Sequence, residues 1–167
     1  MDYFIIKQDP DLAHVAKIKD WNKVLSSVSV NTKIAYVEDH IFKEYPDFYE
    51  TPDLLMAKKF KKVLGLYQSE IEFLTVVLVD KKDKNQVSYD LIRVPTVDCM
   101  SSESKTHFDN VSELVLDVSK IDDHRIFKVK GYGNKLIVRL DVAESLLRRG
   151  AYGVALEKVK IINGELV

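Results

Sequence analysis

Residues 73–94 read FLTVVLVDKKDKNQVSYDLIRV, and this stretch has the pattern of a β-hairpin. Two runs rich in β-branched residues, 73–79 and 87–94, flank the polar segment KKDKN at 81–85. β-Branched and aromatic residues favour strands, and a polar segment between two such runs is typical of a hairpin loop. Charges in that loop also oppose pairing with other sheet edges. The stretch therefore predicts an antiparallel hairpin.

The first strand of this hairpin is apolar on both sides. Side chains alternate between the two faces of a strand. One face carries Phe73, Thr75, Val77 and Val79, and the other carries Leu74, Val76 and Leu78. A strand with two apolar faces is typical of the interior of a covered sheet. We expect this strand to be central and covered on both faces.

Other strand patterns are short, and they lie on both sides of the hairpin. They occupy residues 3–7, 33–37, 113–117, 124–130, 135–139 and 151–162. Gly131-Tyr132-Gly133-Asn134 predicts a turn, since glycine and asparagine tolerate positive φ. Residues 101–110 read as a polar loop, and residues 45–48 as a turn or extended loop because Pro46 disfavours helix before it. Residues 14–21 fit neither a strand nor a helix template, so no element is predicted there.

Two helices are predicted. The first begins at Thr51-Pro52-Asp53, a capping residue followed by proline and an acidic side chain, and ends near Gly65. Its apolar face holds Met56, Phe60, Val63, Leu64 and Tyr67. The second spans residues 140–149 and ends at Gly150. Its buried stripe is formed by Val142, Ala143, Leu146 and Leu147.

This order of elements predicts the fold class. Parallel neighbours need crossovers of a dozen or more residues, whereas these strands follow one another closely. The 167 residues also fit one domain that can bury a sizeable core. We therefore expect one α+β domain over residues 1–167, with a mostly antiparallel sheet and two main helices packed on it.

Composition excludes several classes of protein. Hydrophobic residues make up 46% and charged residues 31% of the chain, which is typical of a globular protein. The net charge of -1 gives no general attraction to nucleic acid or anionic lipid. The N-terminal apolar run is too short for a signal sequence or a membrane span. We expect a cytoplasmic protein with no nucleic-acid or membrane partner.

Asp122, Asp123 and His124 are the strongest candidates for a metal or acid/base site. Adjacent strand residues point to opposite faces, so Asp123 and His124 converge only if they lie in a turn. The other histidines, His14, His40 and His107, show no spacing typical of a metal pair. A turn in which the aspartates bond local amides is the favoured interpretation.

Two further groups have plain structural interpretations. Cys99 is the only cysteine, so it forms no internal disulfide. A cysteine nucleophile also needs a positioned base, and nothing in the sequence predicts that Asp98 or His107 supplies one. Cys99 is therefore interpreted as a buried structural residue. The lysines at 58, 59, 61 and 62 form either a phosphate-binding face or a solvated helix surface, and the neutral net charge favours the second.

Catalytic motifs are missing from the sequence. It contains no glycine-rich phosphate loop, nucleophile elbow or dinucleotide fingerprint. We predict no cofactor, no bound metal and no enzymatic activity.

Residues 111–159 read VSELVLDVSKIDDHRIFKVKGYGNKLIVRLDVAESLLRRGAYGVALEKV. The order of segments in this C-terminal third resembles a family of bacterial immunity proteins encoded beside polymorphic toxins, of the myxobacterial type. The family pattern there looks like LVLD, KI, HIFR, FIV, GLTG and RFEPV in order. The matching positions here are residues 114–117, 120–121, 124–127, 136–138, 150–153 and 156–159. Residues 4–7, 45–48, 54–64 and 91–100 continue the resemblance upstream.

The resemblance implies a protein that inhibits a cognate toxin by binding it, with no chemistry of its own. The family carries no contact motif that transfers residue by residue, so the partner-binding residues are unknown. Where the family has a serine-like helix cap, this chain has Arg139, which cannot accept a bond from the free amides. Tyrosines in turns are candidate anchors for a partner. They are Tyr45, Tyr49, Tyr132 and Tyr152.

Two other hypotheses remain open. One is an α+β binding or regulatory module with another protein partner. The other is a small metal-dependent hydrolase that uses Asp122, Asp123 and His124.

Overall fold

The computed structural model describes residues 1–28 and 31–164, in which fourteen β-strands and three α-helices form. The strands are β1 (Tyr3–Gln8), β2 (Thr32–Tyr36), β3 (Phe48–Tyr49), β4 (Leu55–Ala57), β5 (Glu72–Asp80), β6 (Asn85–Arg93), β7 (Thr96–Val97), β8 (Lys105–His107), β9 (Asn110–Glu113), β10 (Val115–Asp117), β11 (Ile126–Val129), β12 (Leu136–Arg139), β13 (Val154–Lys158) and β14 (Lys160–Ile162). The helices are α1 (Trp21–Ser26), α2 (Lys61–Tyr67) and α3 (Leu140–Arg148).

The strands form two five-stranded sheets and two small ribbons. One large sheet has the order β13-β1-β12-β11-β7, and the other has the order β2-β5-β6-β4-β3. The ribbons pair β10 with β14 and β8 with β9. Most strand pairs are antiparallel, and the protein mixes α and β structure with few helices, which confirms that part of the expected fold class. We also expected a single sheet, and this expectation is wrong because the strands divide between two large sheets.

Three strand pairs are parallel, and the sequence did not predict them. They are β2 with β5, β7 with β11, and β10 with β14. Their partners are far apart along the chain, so each has more than the dozen intervening residues that a parallel connection needs. Reading only consecutive strands misses such pairs.

Hydrophobic clusters lie on both faces of the first sheet. In β1, Ile6 belongs to a large cluster that includes residues of the second sheet and of α3, whereas Tyr3 and Ile5 belong to a smaller one with Cys99. Strand β12 divides in the same way, with Ile137 on the side of the smaller cluster. Alternating side chains along a strand produce this division.

The hairpin is confirmed. β5 and β6 pair over nine positions, from Glu72 opposite Arg93 to Asp80 opposite Asn85. β5 is also central, because β2 pairs along its other edge. Our expectation that both faces are covered is wrong: Val76 and Leu78 are fully buried, but Val77 on the opposite face is only partly so.

The first predicted helix is only partly correct. Residues 55–57 form β4, a 3-10 turn follows at Lys58–Phe60, and α2 begins at Lys61. Leu55 pairs with Leu91 in β6, so a long-range strand partner overrides the local helix signals of Thr51-Pro52. Gly65 lies inside α2 and does not end it.

The second predicted helix is confirmed as α3. Its first residue follows Arg139, which makes no capping side-chain hydrogen bond, and Gly150 follows its end with a φ of 70°. Val142, Ala143 and Leu146 are buried as expected. Leu147 is not: 51% of it is exposed.

Three other boundaries differ from the prediction. Residues 101–110 are not only a loop, because β8 lies among them and forms a ribbon with β9. The strand expected at 113–117 divides between β9 and β10. The last strand also divides, so that β13 pairs with β1 while β14 pairs with β10. In the described part of the chain no helix is long and apolar enough to cross a membrane.

Candidate partner-binding surface

Asp122, Asp123 and His124 lie in a turn, as favoured above. Asp122 has a φ of 53°, and His124 Nδ1 lies 2.8 Å from the carbonyl oxygen of Ile121. We expected local backbone amides to donate hydrogen bonds to the two aspartates. No such hydrogen bond forms within the described residues, so this expectation is wrong. Those residues also contain no group of three or more His, Cys, Asp or Glu side chains that could hold a metal ion.

The candidate nucleophile group is not assembled. Cys99 is fully buried, and burial raises the pKa of its thiol to about 11. Asp98 forms an ion pair with Lys130, 2.9 Å from carboxylate oxygen to Nζ. His107 lies on β8, where its ring contacts Phe108. A neutral buried thiol is a poor nucleophile, which agrees with a structural cysteine.

Among the four candidate tyrosines only Tyr152 is exposed. Tyr49 is buried and donates to the carbonyl oxygen of Ala16. Tyr45 donates to Asp80, and Tyr132 packs against the smaller hydrophobic cluster. The hydroxyl of Tyr152 donates to Glu44 at 3.1 Å, so all four tyrosines make intramolecular contacts.

The second sheet has one face that is only partly covered. At the β4 end of this face Met56 and Ile92 are buried. Toward β2 the same face is uncovered, and we call this part the open face. Its side chains are Ile34 and Tyr36 of β2, Thr75, Val77 and Val79 of β5, and Ser88 of β6. Ile34 is 56% exposed and Tyr36 is 41% exposed.

Lysines contact the open face and its borders. Lys58 Nζ lies 3.3 Å from Thr75 Oγ1. Lys81 Nζ lies 4.2 Å from the centre of the Tyr36 ring, and Lys61 Nζ lies 5.5 Å from the centre of the Phe73 ring, which stands beside the open face. The lysines at 58, 59, 61 and 62 are all exposed, as the solvated-surface interpretation predicts.

A groove of about 450 Å³ runs along the edge of β2 beside the open face. Ile34 and Tyr36 form one side, and Lys23 and Val24 of α1 form part of the other. The backbone of Tyr36 is paired there, since its carbonyl oxygen accepts from Lys19 N at 2.8 Å. The groove therefore joins an apolar wall to a charged rim.

A buried ion pair fixes the loop that carries Lys81. Lys43 Nζ lies 2.7 Å from Asp80 Oδ2, and their side chains are 3% and 2% exposed. Asp80 also accepts from the backbone amides of Lys82 and Asp83, both at 3.1 Å. Hydrogen bonding from Lys43 lowers the pKa of Asp80 to about 2. The loop between β5 and β6 is thus anchored at its base.

Another exposed aromatic side chain lies in the turn of the β8–β9 ribbon. Phe108 is 86% exposed, and its φ of 45° is followed by a φ of 62° at Asp109. Bulky residues rarely adopt positive φ. The ring rests against His107, 4.3 Å between centres. Sequence reasoning missed Phe108, although a single aromatic residue within a polar stretch was a visible signal.

No family model and no curated protein matches this chain. A proposal of function therefore rests on the surface together with the sequence resemblance given above.

Sequence reasoning also missed the open face. The signal that could have revealed it was the second apolar face of β5, which we assigned to burial within the protein.

Proposed function

We propose that this protein is a noncatalytic immunity protein that binds and neutralises a bacterial toxin domain. The observation that carries the proposal is the open face of the second sheet. Antiparallel sheets that face water on one side usually carry polar side chains there. Here Ile34, Val77 and Val79 occupy that side, next to Tyr36.

Apolar groups on an uncovered sheet face need a physical reason. Burial of apolar surface contributes about 25 cal/mol per Å² of favourable free energy, so a partner that covers these side chains forms a more stable complex. Contiguous exposed apolar patches rimmed by polar residues mark protein interaction sites. A sheet face also presents its side chains on a hydrogen-bonded support, which limits the entropy lost on binding.

The class of partner comes from the resemblance to immunity proteins. A protein of that kind acts by occupying a toxin, and it needs a surface, not a reaction centre. An open face of packed strands meets this requirement. Under this proposal the protein is cytoplasmic, where it meets toxin that has entered or been made in the cell.

Co-expression tests the proposal. The chain is expressed together with the toxin-like domain encoded beside its gene, and growth and co-purification are scored. We expect growth to be restored and a stoichiometric complex that buries at least about 1,000 Å² to be recovered. A catalytically dead toxin domain serves as the control for toxicity in the binding assay. Continued toxicity with no complex at micromolar concentration would show that the proposal is wrong.

A complex that forms without restoring growth has a different meaning. It would favour the alternative of a binding or regulatory module, because binding would then be separate from neutralisation.

A further inference from the structure

The charges at the open face are unlike those of the chain as a whole. The protein has a net charge of -1. At this face, however, Lys58, Lys61 and Lys81 place their ammonium groups against Thr75 and the Phe73 and Tyr36 rings. None of the three lysines forms an ion pair with a carboxylate in residues 1–28 and 31–164. The local field is therefore positive over an apolar centre.

A carboxylate close to Lys58 is withdrawn from the surface. Asp90 of β6 lies opposite Thr75 of β5 and on the same face of the sheet. Only 1% of Asp90 is exposed. Thr75 Oγ1 lies 3.3 Å from Asp90 Oδ1 and 3.3 Å from Lys58 Nζ. A partner would meet the ammonium group of Lys58 and not the carboxylate beneath it.

The groove at the edge of β2 adds charges of both signs. Lys19 and Lys23 line it together with Asp20 and Asp39. Together with the three lysines named above, the open face and the groove hold five lysines and two exposed aspartates. The region as a whole remains positive.

This charge pattern excludes some occupants on physical grounds. A second copy related by a twofold axis would place the lysines of one open face against those of the other, and like charges in contact oppose association. Nucleic-acid platforms use several aromatic side chains for base stacking. Tyr36 is the one exposed ring on the open face, and the other apolar side chains of this face are β-branched.

We infer that the open face binds an acidic surface of its protein partner, in which carboxylates surround an apolar patch. The inference rests on the proposed function, because the partner is the toxin domain. Ile34, Val77 and Val79 meet the apolar patch. Lys58 and Lys81 pair with carboxylates at its border, where charge complementarity accelerates association and selects the partner.

Charge reversal tests the inference. The variant combines Lys58→Glu, Lys61→Glu and Lys81→Glu, and its affinity for the catalytically dead toxin domain is measured by calorimetry at two salt concentrations. We expect the affinity to fall at least about tenfold and the salt dependence of association to decrease. The thermal midpoint should stay close to that of the wild type, since all three side chains are outside the core.

A matched control carries the same change in net charge elsewhere. It combines Lys105→Glu, Lys130→Glu and Lys158→Glu, which lie outside the second sheet. These lysines are ion-paired with Glu113, Asp98 and Asp2, so the thermal midpoint of the control is measured first to show that it folds. We expect its affinity to stay within about threefold of the wild type, as distant charges are screened at physiological salt. Equal losses in both variants would mean that net charge alone matters and would overturn the inference.

The remaining outcomes separate the two proposals. If the wild type binds the toxin domain and the open-face variant binds equally well, the inference fails while the proposed function stands. If the wild type does not bind, both fail. A labelled single-stranded RNA of about 20 nucleotides is the probe for the other class of partner. Binding of this RNA by the wild type but not by the open-face variant would assign the face to nucleic acid and overturn the inference.

Discussion

Tyr36 and Val79 lie opposite each other in the parallel pairing of β2 with β5, and both side chains belong to the open face. Lys81, two residues after Val79, returns over the Tyr36 ring at 4.2 Å. An aromatic ring, a β-branched side chain and a cation are thereby grouped at one corner of the sheet. This grouping matches the composition of protein interfaces, which contain aromatic anchors and a charged rim.

Replacing Ile34 should separate binding from stability. Ile34 is 56% exposed, so Ile34→Asp removes little buried surface, and we expect a change in unfolding free energy within about 0.5 kcal/mol. Binding of the toxin domain should weaken strongly, because a carboxylate would be placed in the apolar centre. Chemical denaturation and calorimetry measure the two effects.

The matched control is the neighbouring residue on the buried face. Ala35 is fully buried, so Ala35→Asp places a charge in the core and should prevent stable folding. If Ile34→Asp destabilises the fold as much as Ala35→Asp does, the open face is not open in solution.

Stability should depend on the protonation of Asp80 at acid pH. Its pKa is lowered from about 3.9 in an unfolded chain to about 2 in the folded protein, chiefly by the hydrogen bond from Lys43. A lowered pKa stabilises the fold above the unfolded value, and this contribution is lost as the pH falls toward 2. We expect the difference in thermal midpoint between wild type and Asp80→Asn to be constant above about pH 5 and to shrink below about pH 4.

Other carboxylates titrate in both proteins, so their effects cancel in that difference. A difference that stays constant from pH 5 to pH 2 would mean that Lys43 and Asp80 are not coupled in the folded state.

Phe108→Gly should stabilise the protein. The φ of 45° is costly for phenylalanine but free for glycine, and the exposed ring gives up little buried area. We expect a gain of about 1 kcal/mol, which corresponds to a rise of roughly 2–4 °C in the thermal midpoint for a chain of this size. Differential scanning calorimetry measures the change.

Phe108→Ala is the comparison for this substitution. Alanine keeps the cost of the left-handed backbone, so its gain should be smaller than that of glycine. Equal midpoints for both variants would argue that the backbone at this position carries no strain.

Asp122→Ala and His124→Ala should change stability only modestly. The turn holds both residues outside the core, and single substitutions of this kind cost about 0.5–3 kcal/mol. We expect the purified wild type to contain no stoichiometric metal by elemental analysis. Stoichiometric metal that is lost in both variants would revive the hydrolase hypothesis.

The elements that the sequence determined by itself are those set by local signals. The hairpin of β5 and β6 follows from two β-branched runs around a polar loop, and both strands formed where these runs lie. α3 follows from apolar spacing and from Gly150, whose φ of 70° is most favourable for a residue without a Cβ atom. Such signals act between residues close in the chain, so they can be read without knowing the fold.

What the tertiary structure decided depends on contacts between distant residues. Leu55 became part of a strand because Leu91 offers it a partner 36 positions later, against the local preference for helix. Likewise, an apolar pattern shows that Val77 prefers burial, but not whether another element of the same chain covers it. α2 reaches the Phe73 end of that face and stops there. Ile34 and Tyr36 are left exposed because the placement of the covering helix is a property of the whole packed chain.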